Sequence, residues 1–121
     1  MTKAQNPKQY DLEDRTLAFA RAVREFVKSL KPTTANIEDG KQLVRASGSV
    51  GANYIEANEA LGKKDFLMRI RICKKESKES RYWLRLVDTC DDRKLDARRE
   101  DLIQEATELM NIFGSIIRKS E

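Results

Sequence analysis

Two pairs of glutamates stand three residues apart, Glu56 with Glu59 and Glu76 with Glu79. On a helix that spacing puts both carboxylates of a pair on one face, where bundle proteins present oxygen ligands to metal ions. Di-iron carboxylate bundles also need Glu-x-x-His on two helices, and this chain has no histidine. The same absence removes the commonest general base, nucleophile activator and metal ligand. Cys73 and Cys90 have no histidine partner and no CxxC spacing, so they read as ordinary reduced thiols. The segment GSVGAN lacks the lysine and the spacing of a phosphate-binding loop. The glutamates then read as structural partners for arginine, lysine, asparagine or tyrosine. The expectation is no catalytic site, no metal, no cofactor and no small-molecule substrate.

A second chemistry is carried by cations. Arg71, Lys74, Lys75, Lys78, Arg81 and Arg85 follow one another at helical spacing. They make a ridge of about 20 Å on one helix. A ridge of that kind neutralises phosphates of RNA or DNA and releases their counterions. The other reading is a solvated face paired with acids. The last helix and its approach offer Asp91, Asp92, Asp96, Glu100, Asp101, Glu105 and Glu108.

The elements that position these groups are helices. Charged residues make up 36% of the 121, with only two prolines and five glycines. High charge with few breakers favours long amphipathic helices. Residues 1–10 read as a flexible N-terminal arm. Asp11 is placed to cap a first helix, whose stripe is Leu12, Phe19, Val23, Phe26, Val27 and Leu30, and Pro32 ends it. Asn36 is placed to cap a second, with Leu43, Val44, Ser47, Val50, Gly51, Tyr54, Ala57 and Leu61 on its stripe. Gly48 and Gly51 mark either close approach by a neighbour or a local kink. Gly62 turns the chain into a third helix, from about Lys64 to Thr89. Folding it back sets Cys73, Ser77 and Ser80 opposite the small residues from Ser47 to Ala52. Asp96 is placed to cap a fourth helix with Leu102, Ala106, Leu109, Met110, Phe113, Ile116 and Ile117. Residues 11–121 thus predict one all-α domain, an antiparallel up-down-up-down four-helix bundle. No apolar run approaches the roughly 20 residues of a membrane span, and MTKAQNPKQY lacks a secretory core, so the expected location is cytoplasmic.

The third helix carries two apolar stripes. Phe66, Ile70, Cys73, Ser77, Ser80, Leu84 and Val87 form one. Met68, Ile72, Trp83 and Leu86 form another, with Glu76 and Glu79 on it. One core absorbs only one of these faces fully. The second face needs another copy of the chain, or else deep burial between neighbouring helices and the arm.

The segments YDLEDRTLAFA, QLVRASGSVGANY, VGANYIEANEALGKKDF and RICKKESKESRYWLRL carry a family resemblance. Its most specific residues are Gly51, Asn53, Glu56 and Ala57, then Asp65 and Phe66, then Glu76, Glu79, Tyr82, Trp83 and Leu84. Over roughly Tyr10 to Ile117 the chain resembles the four-helix bundle proteins encoded in intervening sequences of bacterial 23S rRNA genes. The resemblance implies a cytosolic homo-oligomer, a ring of five subunits, and supplies no activity. The chain is also similar to the accessory protein of diversity-generating retroelements, which implies nucleic-acid binding.

Overall fold

Each of the four amphipathic stretches forms a helix in the computed structural model, which describes residues 7–121, with side chains from Leu12 onward. The helices are α1 (Pro7–Lys28), α2 (Thr34–Asn58), α3 (Lys63–Leu86) and α4 (Arg93–Ser120). The helix ends differ from the expected ones. α1 starts at Pro7, a residue suited to a first turn, so Asp11 lies inside the helix and does not cap it. Residues 7–10 of the expected arm are therefore helical, and residues 1–6 lie outside the described part. Leu61 falls beyond the end of α2 and is fully exposed.

Thr33, not Asn36, caps α2, its hydroxyl oxygen accepting the Asn36 N–H at 3.1 Å. Asn36 has another task. Its Nδ2 donates to the carbonyls of Lys31 and Asp88 at 3.0 and 2.9 Å, and its Oδ1 accepts the Asp88 N–H at 2.9 Å. One buried amide thus ties the α1–α2 connection to the α3–α4 connection. This also explains why α3 stops at Leu86 and not at Thr89. Asp88 gives both backbone groups to Asn36, and Val87 takes an extended conformation.

The chain then reverses through Cys90 and Asp91, both with positive φ, at 55° and 61°. The Asp88 carboxylate accepts the Cys90 N–H at 2.8 Å and steadies this costly turn. Asp92, not Asp96, caps α4, accepting from the backbone of Lys94 and Leu95. Asp96 instead accepts from the Thr89 hydroxyl, one turn further on.

The cross-helix contacts establish the topology. Thr16 and Val27 of α1 face Gly51 and Gly40 of α2, an antiparallel pairing. Arg69 reaches Asn53, while Arg45 reaches Glu76 and Glu79, so α2 and α3 are antiparallel as well. Arg71 with Glu121 and Arg81 with Thr107 pair α3 and α4 in the same sense. α4 closes onto α1. The result is the up-down-up-down bundle. Phe26, Leu43, Ile70, Leu84, Leu109 and Phe113 are fully buried at its centre.

Small residues meet along α2 and α3. Ser47, Cys73, Ser77 and Ser80 are fully buried. Their polar groups are satisfied at short range: Ser77 and Ser80 donate to carbonyls one turn back, and the Cys73 thiol donates to Val50 O at 3.4 Å. The glycines of α2 face α1 instead. A Cβ on Gly51 would lie 2.9 Å from Thr16 Oγ1, whereas one on Gly48 would meet only the tip of Arg24 at 3.5 Å. Close approach, not a kink, accounts for Gly51, since α2 runs unbroken through it.

The two glycines should therefore respond oppositely to alanine. Gly48→Ala gains helix propensity and should stabilise by up to about 1 kcal/mol. Gly51→Ala overpacks the α1–α2 contact and should destabilise by a net of about 1 kcal/mol. Urea unfolding followed by circular dichroism measures both, and equal stabilisation by the two would show that the helices do not approach closely.

Candidate functional site

The basic ridge is best understood through the acids that were available to neutralise it. α4 buries Leu95, Leu102, Ala106, Leu109 and Phe113, which fixes its rotation about its own axis. Glu105 and Glu108 then face α1. Arg15 takes both oxygens of Glu105 at 2.7 and 2.8 Å and reaches Glu108 at 2.7 Å. The hydrogen bonds that Arg15 donates to Glu105 lead the factors that hold its guanidinium even more firmly charged than usual. Hydrogen bonds from Gln104 and then Arg15 hold the Glu108 carboxyl below the ordinary glutamate range. Asp96 pairs with Arg99 within α4. None of these three acids reaches α3.

The side of α4 that does face α3 carries Thr107, Gly114 and Arg118. Arg81 donates to Thr107 Oγ1 at 3.2 Å, and Arg71 pairs with Glu121 at 3.2 Å. Gly114 leaves room for Lys74: a Cβ there would lie 3.7 Å from Lys74 Nζ and 3.5 Å from the Arg118 guanidinium. Five of the six ridge residues, Arg71, Lys74, Lys78, Arg81 and Arg85, thus border the α3–α4 groove. Lys75 lies off this line, seven residues from both Met68 and Tyr82 and on their side of the helix. Lys74, Lys75, Lys78 and Arg85 are exposed and make no ion pair among the described residues. Sequence reasoning missed Arg118, because a cation in a last turn also reads as a complement to the helix dipole.

The second stripe of α3 divides. Met68 and Leu86 are 44% and 48% exposed, while Ile72 is half-buried. Trp83 packs partly against the core, and its indole N–H is buried without a hydrogen-bond partner. Glu76 and Glu79 are engaged within the chain, since Arg45 reaches them at 3.5 and 2.8 Å. Tyr82 points outward, 58% exposed, with its ring 5.0 Å from Trp83 in an edge arrangement. Glu56 and Glu59 are exposed and make no ion pair among the described residues, contrary to the expectation for them.

Several residues of the family pattern are structural. Gly51 admits Thr16, Ala57 and Leu84 are buried, and Phe66 packs on the core. Asn53 Oδ1 accepts from Arg69 at 3.0 Å. Asp65 is exposed in the first turn of α3, whose cap, Gly62, offers no side chain.

Among the described residues, no three histidine, cysteine, aspartate or glutamate side chains gather as metal ligands. No helix among them is long and apolar enough to cross a membrane. Burial pushes the Cys73 thiol up to about 12, so at neutral pH it is a buried, unreactive thiol. Cys90 is exposed. Native protein should therefore release one equivalent of thionitrobenzoate rapidly from Ellman's reagent, and a second only in denaturant. Rapid release of two would show that the α2–α3 seam does not seal Cys73.

The arrangement matches known proteins along most of its length. The model of the family described as 23S rRNA-intervening sequence protein matches residues 8–115. A crystal structure of a protein with unknown function from the S23 ribosomal protein family, from Bacteroides thetaiotaomicron VPI-5482, superposes with a TM-score of 0.75. The two chains are 31% identical over 87% of this chain and 96% of that one. No curated protein matches. A four-helix bundle with this match over most of its residues belongs to the 23S rRNA-intervening sequence protein family.

Proposed function

We propose that the protein is a non-enzymatic, cytoplasmic homo-oligomer that binds RNA or DNA through the α3–α4 groove without reading sequence. The observation that carries this reading is the diversion of Glu105 and Glu108. Arg15 takes both on the far flank, and Lys74, Lys78 and Arg85 stay exposed, with no ion pair among the described residues. Free cations on a fixed line are what a phosphate backbone requires. One such groove binds weakly, with a Kd of roughly 10⁻⁴ to 10⁻⁶ M at physiological salt. Assembly multiplies it. A ring carrying several grooves raises effective concentration, and avidity then exceeds single-site affinity by about 10² or more.

The exposed Met68 and Leu86 support self-association through the second face of α3. A five-subunit ring is the arrangement the family resemblance implies. A second reading, a ring that recruits a protein partner, rests on a different feature. Val27, Leu30, Pro32, Ile37 and Val44 line an apolar groove between α1 and α2, and Ile37 is 46% exposed there.

Charge reversal separates the two readings. Lys74→Glu, Lys78→Glu and Arg85→Glu together should abolish the gel shift of RNA at low salt and leave the assembly intact. Absence of any shift with unaltered protein would leave the partner-recruiting ring. Assembly has its own measurement, light scattering after size exclusion. Met68→Glu with Leu86→Glu should release monomers without harming the core, because both side chains are exposed. Unaltered protein that runs as a monomer at tens of micromolar would refute the oligomer.

A further inference from the structure

Tyr82 is the one aromatic ring on the outside of α3 that the core does not use. It is 58% exposed, whereas its neighbour Trp83 is packed against the core. The two rings meet at 5.0 Å with an interplanar angle of 79°. An edge arrangement leaves at least one face of the tyrosine clear of the indole. Helical spacing places cations around it. Lys78 precedes it by four residues, Arg85 follows by three and Lys75 precedes by seven, and all three are exposed and unpaired among the described residues. Lys78 and Arg85 stand about 10 Å apart along the axis, one on each side of the ring.

From this geometry we infer that Tyr82 is a stacking platform for an unpaired base of single-stranded nucleic acid, whose flanking phosphates lie on Lys78 and Arg85. The inference rests on the nucleic-acid reading above and narrows it from any phosphate backbone to a single strand. A duplex offers the same phosphates but keeps its base faces covered by stacking, whereas a single strand exposes them to an aromatic side chain. Stacking is tolerant of sequence, because every base has a π-face.

The competing occupant of the ring is a second copy of the chain. Burying Tyr82 against protein would take Lys75, Lys78 and Arg85 out of water while the neighbouring acid, Glu79, is already held by Arg45, which is costly. A nucleotide brings its own counter-charge to those cations. The ring sits at the boundary between the ridge and the Met68–Leu86 stripe, so a copy docked on the stripe need not cover it.

Fluorescence anisotropy with labelled oligouridylate, oligothymidylate and blunt RNA and DNA duplexes tests the inference. Tyr82→Ala should weaken binding of both single strands by roughly 5- to 150-fold, the range of one lost base–aromatic stack. Tyr82→Phe should bind as the unaltered protein does, because stacking needs no hydroxyl, and neither variant should change duplex affinity. Equal losses on oligouridylate and oligothymidylate are expected from base stacking. A loss confined to oligouridylate would place the contact at the ribose hydroxyl and overturn the platform. Unchanged single-strand affinity in Tyr82→Ala, while the triple charge reversal still abolishes binding, would overturn the platform and leave the groove reading standing. Failure of the unaltered protein to bind any of the four probes would overturn both. Light scattering closes the remaining route: a Tyr82→Ala protein that falls apart into monomers would assign the ring to a contact between copies and refute the inference.

Discussion

The rotation of α4 about its own axis governs the outside of this bundle. Burial of Leu102, Ala106, Leu109 and Phe113 leaves that helix little freedom to turn, since each of the two leucines and the phenylalanine is worth roughly 1.5–3 kcal/mol when removed from water. Once the apolar stripe points inward, Glu105 and Glu108 on one flank meet α1, and Thr107 and Gly114 on the other meet α3. Exposed ion pairs contribute only about 0–1 kcal/mol each, so charge pairing could not have set this rotation. Arg15 receives Glu105 and Glu108 because the core put them there. That Lys74, Lys78 and Arg85 have no ion pair among the described residues is thus a by-product of hydrophobic packing.

The rest of the frame keeps α3 in place. Its inner face is a line of small buried residues, Cys73, Ser77 and Ser80, that lets α2 come close. Its far end is held by Asn36, which takes both backbone groups of Asp88. Removing that amide would lose its bonds to Lys31 and Asp88, at about 0.5–1.5 kcal/mol for each. α2 is fixed in turn by Thr16 against Gly51. The proposed groove and platform therefore stand on a helix held at its inner face and its far end, a favourable place for groups that must meet a ligand in fixed register.

Much of this fold was legible in the sequence. The apolar stripes of helices one, two and four, and the inner stripe of helix three, gave the bundle and its antiparallel order, because burial follows the 3.6-residue period whatever the neighbours are. Helix ends were not legible in the same way. Asn36 and Asp96 both have cap chemistry, but so do Thr33 and Asp92, and tertiary hydrogen bonds claimed the first two. Charge partnering was hidden for a related reason. Whether α4's acids neutralise the ridge depends on which flank faces which neighbour, a property of the closed ring of helices and not of any single segment. Tyr82 was visible only as part of a YWL motif. Its exposure depends on Trp83 and Leu84 turning inward, which side-chain type alone does not decide.

The two faces of α3 pull on the same residues from opposite directions. A stripe that includes Met68 and Leu86 gains from being covered, whereas Lys75, Lys78 and Arg85 lose hydration if they are covered without acids. Tyr82 lies between them. Lys75 lies on the Met68 side of the helix, so a contact between copies through the stripe gains by covering Met68 and Leu86 and loses hydration at Lys75. In the proposed assembly, Lys74, Lys78 and Arg85 lie on the other side of Tyr82 from the Met68–Leu86 stripe, so self-association and phosphate binding need not compete for surface. In a closed ring every subunit presents that side in an equivalent position. Under the proposed reading, a strand that engages one groove has further grooves at fixed spacing within its reach, and the affinity of the whole follows from repetition of a weak site.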